Sequence, residues 1–303
     1  MQIPNKVYPY RLPYMGSKQN IAYSLMLTMI QKKPKAKYFF DIFGGGAAMS
    51  LMAAQFGLKV FYTEKNAGIV NLLNFLKENK IPSEWINWVT REDFKKCIGK
   101  DDPYSVFITV AWSFGNNRQA YLFGKDIEEN KRLAFEIIVH KDNSCLEELK
   151  RKTGLNLKIP QEKKLHDRRL NFSKQIKSVK GFKRGIVNLI NIETLTRLAV
   201  CERLQQLEYL QQLEYLNGLN YNSDEVIIYC DPPYRQTAEY TDNDFNPQEF
   251  DNWVKKLKYD VFISEYNCPF EKIASFGKTS LLNNSKDKKP LISENLYFHK
   301  SEL

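Results

Sequence analysis

The sequence predicts an α/β fold built on a central sheet, and three segments predict it. The first is Val226-Ile227-Ile228-Tyr229-Cys230, an apolar run that ends in Asp231-Pro232-Pro233-Tyr234. A short continuous apolar run closed by a turn signal is the pattern of a strand buried on both faces. The second starts with Tyr38-Phe39-Phe40-Asp41-Ile42 and turns at Phe43-Gly44-Gly45-Gly46. A small-residue helix over 47–56 follows, closed by Gly57, and then the strand Lys59-Val60-Phe61-Tyr62, which ends near Glu64. Strand, glycine turn, helix and strand in that order make a βαβ unit. The third is the late run Asp260-Val261-Phe262-Ile263-Ser264, again apolar and of strand length.

The glycine turn reads as a cofactor site. Three glycines allow close backbone approach and positive φ. Glu64 lies 20 residues after Gly44, with Asn66 just beyond it. An acid at about that distance from a glycine turn is the usual grip on a ribose. The glycines are not spaced G-x-G-x-x-G, and no phosphate-binding Lys-Ser/Thr follows, which weakens a dinucleotide or ATP. An adenosyl cofactor without a diphosphate fits better. A tight turn with glycines for packing alone stays open as the plainer reading.

Asp231-Pro232-Pro233-Tyr234 suits a reaction at an exocyclic amino group such as adenine N6. That nitrogen is conjugated with its ring, so its lone pair is a poor nucleophile. A carboxylate and a backbone carbonyl that hold both amino hydrogens favour the pyramidal geometry that frees it. Proline has no N–H and a fixed φ, which leaves carbonyls to face a substrate. An aromatic ring beside them offers a stacking platform for a base taken out of its helix. Asp231 is expected to be the main acceptor, the Pro232 or Pro233 carbonyl the second, and Tyr234 the platform. A proline turn after a strand is the plainer alternative.

With these residues in place, the chain resembles the Dam-like (α-class) DNA adenine-N6 methyltransferases. Pro13-Tyr14-Met15-Gly16-Ser17-Lys18 is similar to that family's N-terminal aromatic-x-Gly-small-Lys motif. Asp41 to Gly46 resembles its F-x-G-x-G loop, Glu64 its ribose-binding acid, and Asp231 to Tyr234 its D-P-P-Y motif. Ile263-Ser264-Glu265-Tyr266 resembles a late strand motif of the same core. Asn220-Tyr221 stands where many relatives carry an acid before an aromatic. The resemblance implies a Rossmann-like, S-adenosylmethionine-dependent core with a mixed seven-stranded sheet. It also implies methyl transfer to a flipped adenine in duplex DNA. The expected cofactor residues are Tyr14, Lys18, Asp41, Phe43, Gly44, Gly45, Gly46, Glu64, Asn66 and Asp231. An RNA adenine-N6 methyltransferase and a non-catalytic DNA-binding module on the same core are the alternatives.

From Gly46 to Asp231 the chain is far longer than one or two βα units require. The domains are therefore expected at 1–80 and 206–303 for the core and 81–205 for a mostly helical insert that reads the target. Thirteen Lys and Arg between Lys150 and Arg184 face only Glu162 and Asp167, whereas the whole chain carries +10. The positive field thus belongs to that segment, and phosphate neutralisation supplies most non-specific DNA affinity. Lys163, Lys164, Arg168, Arg169, Lys183 and Arg184 are the candidate contacts there. Asn116, Arg118 and Tyr121 join them, because Asn and Arg suit base edges and cluster here beside glycine and aromatics. A solvated basic face is the competing explanation.

Five scattered cysteines form no C-x-x-C, and three histidines share no ligand spacing, so neither a metal nor a disulfide framework is expected. No stretch approaches the length of a membrane span, and no secretion signal opens the chain. The expectation is a cytoplasmic, bacterial or phage-encoded protein that works as a monomer on double-stranded DNA. The existence of a partner restriction endonuclease is left open. Gln205 to Leu216 repeats Gln-Gln-Leu-Glu-Tyr-Leu twice. A helix from about Thr194 to Asn217-Gly218 is expected there, with a short strand as a variant.

Overall fold

The computed structural model describes residues 4, 12–179, 201–235, 245–279 and 291–303. They divide into two units. One holds residues 16–77 and the described residues from 201 onward, and the other holds 12–15 and 78–179.

The first unit is built on seven strands: β1 (Tyr38–Asp41), β2 (Lys59–Glu64), β3 (Cys201–Gln206), β4 (Val226–Cys230), β5 (Val261–Glu265), β6 (Glu271–Thr279) and β7 (Leu291–His299). Their order across the sheet is β3-β2-β1-β4-β5-β7-β6. The first five run parallel, while β7 is antiparallel to β5 and β6 antiparallel to β7. The sheet is therefore mixed. β4 and β5 are buried at every residue, as parallel strands covered on both faces must be. From β1 the chain winds outward to β3, then re-enters on the other side at β4. That reversal is a topological switch point, and α/β sheets bind ligands in the crevice at the carboxyl ends of such strands.

Helices α1 (Ala22–Lys32), α2 (Ala48–Gln55) and α3 (Ala67–Glu78) belong to this unit. α2 starts straight after Ala47, whose φ is 60°. α3 is capped by Asn66, whose Oδ1 accepts the Ile69 N–H at 3.1 Å, satisfying one of the open donors of a helix start.

The second unit carries α4 (Arg91–Cys97), α5 (Pro103–Ala111), α6 (Glu128–Val139), α7 (Asn143–Thr153) and α8 (Leu165–Gln175). Its helix starts are written in the sequence. The side chains of Thr90, Asp102 and Asp142 cap α4, α5 and α7. Pro103 opens α5, where its missing N–H costs nothing. Gly154 closes α7 at φ 69°. Trp85 and Trp88 have helical spacing, yet Trp85 lies in a three-residue turn, Ser83–Trp85, and Trp88 beyond it. Both serve packing: Trp85 lies 5.2 Å from Phe107 and Trp88 5.0 Å from Trp112, ring centre to ring centre.

Back in the first unit come α9 (Leu213–Gly218) and α10 (Pro247–Lys255). Residues 201–206, expected to be helical, form β3 instead. They pair along β2, with Thr63 opposite Gln205 and Glu64 opposite Gln206. The free edge of β2 offers a row of hydrogen-bonding groups, and pairing to it overrides the modest helix preference of Glu, Arg, Leu and Gln. The stretch that follows Arg235 is polar, and the chain turns helical at Pro247. Asn246 caps that helix by accepting from the N–H groups of Gln248 and Glu249. Residues 236–244, the charged stretch 285–290, which reads as a hairpin tip or loop, and the 194–200 start of the expected helix lie outside the described residues.

Candidate active site

The glycine turn is fixed from below by β2. The Gly44 N–H donates to the Thr63 carbonyl at 2.9 Å. A Cβ on Gly44 would lie 2.1 and 2.3 Å from two Tyr62 ring carbons. That ring cannot retreat easily, because its hydroxyl donates to the Gly45 carbonyl at 2.7 Å. Gly45 itself has φ 47°, a left-handed value that glycine adopts at little cost. Gly46 is buried and leads into Ala47. Phe43 packs against Tyr209 and Phe250, with ring centres 5.3 and 5.7 Å away.

Glu64 closes β2 and clasps the turn. Its Oε2 accepts the Gly45 N–H at 2.9 Å and its Oε1 the Asn66 N–H at 3.0 Å. Burial raises its pKa, while the N–H groups of Asn66, Gly45 and Lys65 pull it down. A carboxylate has about four acceptor positions, so these three N–H groups leave room for one hydroxyl. Asp41 serves another purpose. It is buried, and its Oδ2 accepts the Ser50 N–H at 3.0 Å and the Ser50 hydroxyl at 2.6 Å, pinning β1 to α2. Burial pushes its carboxyl up to about 7 against the lowering by Ser50, and the nearby Asp231 adds to the rise.

Asp231 stands just past the end of β4. The Lys18 ammonium lies 2.5 and 2.6 Å from its two oxygens. Lys18 is only 3% exposed and also lies 4.9 Å from the centre of the Tyr234 ring. The Tyr234 hydroxyl donates to Glu294 of β7. Burial first, then the Asp231 and Glu294 charges, keep that phenol protonated. The Tyr266 ring meets Tyr234 at 4.4 Å with an interplanar angle of 64°. Pro232 is buried and Pro233 half-buried. Arg235 follows, its guanidinium paired with the two Asp251 oxygens on α10 and its N–H donating to Glu265 at 3.2 Å. Burial drives the Glu265 carboxyl up to about 7.

The remaining candidates fall in the second unit. Tyr14 belongs there, within electrostatic reach of Arg118. Ser113 and Tyr121 bridge the two ends of a short excursion, and Phe114 is 61% exposed within it. Asn116 and Arg118 both have positive φ, 58° and 61°. Arg118 is half-buried, with Nε donating to Thr109 Oγ1 at 3.3 Å. Tyr121 is buried and donates its hydroxyl to the Val89 carbonyl at 2.6 Å, so its ring serves the packing of this unit. Lys163 and Lys164 are exposed. Arg168 donates to the Ile138 and Val139 carbonyls at 2.7 and 3.0 Å, closing the end of α6. Arg169 is half-buried, and Lys183 and Arg184 lie outside the described residues.

Three participants escape a reading of the sequence alone: Glu294, Tyr266 as a partner of Tyr234, and the segment after β3. The Leu207 N–H donates to the Glu64 carbonyl at 3.2 Å, so Glu208-Tyr209 follows the acid at the carboxyl edge. Asn220-Tyr221, which departs from the acid-aromatic pair of many relatives, is at the opposite edge. Tyr221 stacks on Tyr38, the first residue of β1, at 4.0 Å. The helix expected over the repeat conceals β3, and with it the segment that emerges beside Glu64. Glu294 gives no signal of its own, since it stands in a polar triplet, Ser293-Glu294-Asn295.

A mixed seven-stranded sheet wound outward from β1 in both directions is consistent with the core of an α/β methyltransferase. The family model described as D12 class N6 adenine-specific DNA methyltransferase matches residues 14–287. The chain belongs to that family and is a DNA adenine-N6 methyltransferase. In a comparison with curated proteins, none matches. Among the described residues no group of three or more His, Cys, Asp or Glu could hold a metal ion, and no helix is long and apolar enough to cross a membrane.

Proposed function

We propose that the methyl donor is S-adenosylmethionine, held by the 43–46 turn and Glu64. The acceptor is then an adenine turned out of duplex DNA onto Asp231-Pro232-Pro233-Tyr234. One observation carries this reading. Asp41 is level with Tyr62 on one neighbour and with Tyr229 on the other, so Glu64 and Asp231 each stand two residues beyond it, on either side of β1. Strands lie about 4.8 Å apart, which separates those two positions by about 10 Å, the span of a small molecule laid across the edge.

The residues suit an adenosyl group. Gly44 lets the turn lie directly on the Tyr62 ring, Glu64 keeps an acceptor position for a ribose hydroxyl, and Glu208-Tyr209 emerges beside it. When bound, S-adenosylmethionine supplies a methyl group on a sulfonium sulfur, a good leaving group. Asp231 accepts one amino hydrogen of the base and the Pro232 or Pro233 carbonyl the other, freeing the lone pair for attack. Tyr234 and Tyr266 form an aromatic corner for the ring. Exposed Lys163 and Lys164 face phosphates, and the excursion carrying Phe114, Asn116 and Arg118 contacts the duplex.

Asp231→Ala is the direct test. It should abolish transfer of labelled methyl groups to duplex DNA, a loss of at least about 100-fold, as for removal of a catalytic group. DNA affinity should stay within about threefold, because Asp231 contributes no phosphate contact. Turnover near the wild-type rate would remove Asp231 from this role.

A further inference from the structure

Both oxygens of Asp231 are occupied by the Lys18 ammonium, at 2.5 and 2.6 Å. An adenine amino group needs an Asp231 oxygen, so Lys18 competes with it for the carboxylate and is loosened when the base arrives. It cannot yield to water, because it is only 3% exposed. A buried cation stripped of its counter-charge is strongly disfavoured. Glu294 Oε1 lies 3.8 Å from the same ammonium, within reach of a small side-chain rotation, and it also accepts the Tyr234 hydroxyl.

Topology explains why a carboxylate is there. β7 is antiparallel to β5, so its early residues arrive at the edge where the parallel strands end. Glu265, the last residue of β5, pairs with Asn295, which places Glu294 one step beyond that end. Its side chain is fully buried. Anchoring a tyrosine hydroxyl needs only a neutral acceptor. The charge of Glu294 suits the Lys18 ammonium, which already lies within ion-pair distance at 3.8 Å.

We propose that Glu294 is a positioning residue, the carboxylate that takes over Lys18 when the amino group displaces it from Asp231, while holding the Tyr234 ring by its hydroxyl. The inference rests on the Asp231 assignment made above. Arrival of the base is thereby coupled to the ring beside it, since both partners of Glu294 line the same corner.

Four substitutions, two of them also combined with Glu294→Gln, and one structure test this with tritiated S-adenosylmethionine and unmethylated plasmid DNA. Glu294→Gln keeps an acceptor for Tyr234 and removes the charge. It should lower kcat by about 10- to 100-fold, the range of interaction energies between contacting residues, with KM for both substrates within about threefold. In a Lys18→Met background the same substitution should cost less than about threefold, because no cation then needs a second home. Tyr234→Phe, which loses only the hydroxyl, should leave the effect of Glu294→Gln in place. An undiminished kcat in Glu294→Gln, or an equal loss with and without Lys18, overturns the proposal. Should Glu294→Gln fail to fold, a crystal structure of the wild-type protein with S-adenosylhomocysteine and DNA decides. Lys18 Nζ must then lie closer to Glu294 than to Asp231, and a lysine still bridging Asp231 beside the bound adenine refutes it. Asp231→Ala is run alongside. If it retains turnover, the underlying assignment fails; if it is dead and Glu294→Gln is unaffected, only the present inference fails.

Discussion

Asp41 shows how one buried carboxyl ties stability to pH. Its folded-state value of about 7 lies above the ordinary value of 3.8. The unfolded chain therefore loses this proton near pH 4, and the folded chain keeps it until about pH 7. Between those limits the folded state binds more protons, so stability falls as pH rises and levels off above 7. One such site contributes a slope of at most about 1.4 kcal/mol per pH unit. Glu265, also raised to about 7, acts in the same direction. Asp41→Asn should flatten the decline in urea midpoint between pH 5 and 7.5 without removing it, and an unchanged slope would show that Asp41 ionises normally in the folded chain. The glycine turn is legible in sequence because its chemistry is local: only glycine fits against the Tyr62 ring and tolerates the backbone of Gly45. The orientation of Asp41 toward Ser50 is not, since the sequence gives no sign of which way an acid at a strand end will turn.

At the scale of elements, the doubled hexapeptide is the most instructive segment. Its first copy ends β3 and turns into a short 3₁₀ segment, Tyr209–Gln212, while its second copy enters α9. Identical letters have opposite fates. Leu210 is 42% exposed, whereas its counterpart Leu216 is fully buried. Tyr209 packs on Phe43 and Trp253, while Tyr215 is among the exposed large side chains. Leu216→Ala should therefore cost about 2–5 kcal/mol, as buried leucine truncations do. Leu210→Ala should stay within about 0.5 kcal/mol. Chemical denaturation of the two variants checks this, and equal losses would mean that both copies pack alike. Leucines every third residue fit neither a helical stripe nor a strand face, so periodicity had nothing to report here. β4 is the contrary case: five apolar residues closed by two prolines leave no other element to form, and the strand runs over the same five residues.

Over the molecule as a whole, charge is unevenly spread. The remainder of the chain is nearly neutral, and the excess lies in one stretch, of which Lys163 and Lys164 are exposed and Arg168 is committed to the end of α6. Replacing Lys163 and Lys164 by Gln should weaken DNA binding equally for all sequences. The slope of log affinity against log salt should fall by up to about 1.8, or 0.9 for each phosphate that is no longer neutralised. Fluorescence anisotropy across a salt series measures this, and an unaltered slope would place the phosphates elsewhere. Arg168 shows why a charge count overstates a binding surface, since a guanidinium that caps a helix still counts as positive.

By itself the sequence determined the chemistry-bearing turns, because each rests on short-range constraints: glycines where no side chain fits, prolines that donate nothing, and apolar runs that must be buried. It also determined the family, since those turns arrive in the right order. The tertiary structure alone decided which strands are neighbours, and with them the partners of every charge. Lys18 reaches Asp231, Glu294 reaches Tyr234 and β3 takes the edge of β2 only because strands distant in the chain are brought side by side. Local preference carries no information about contacts of that range.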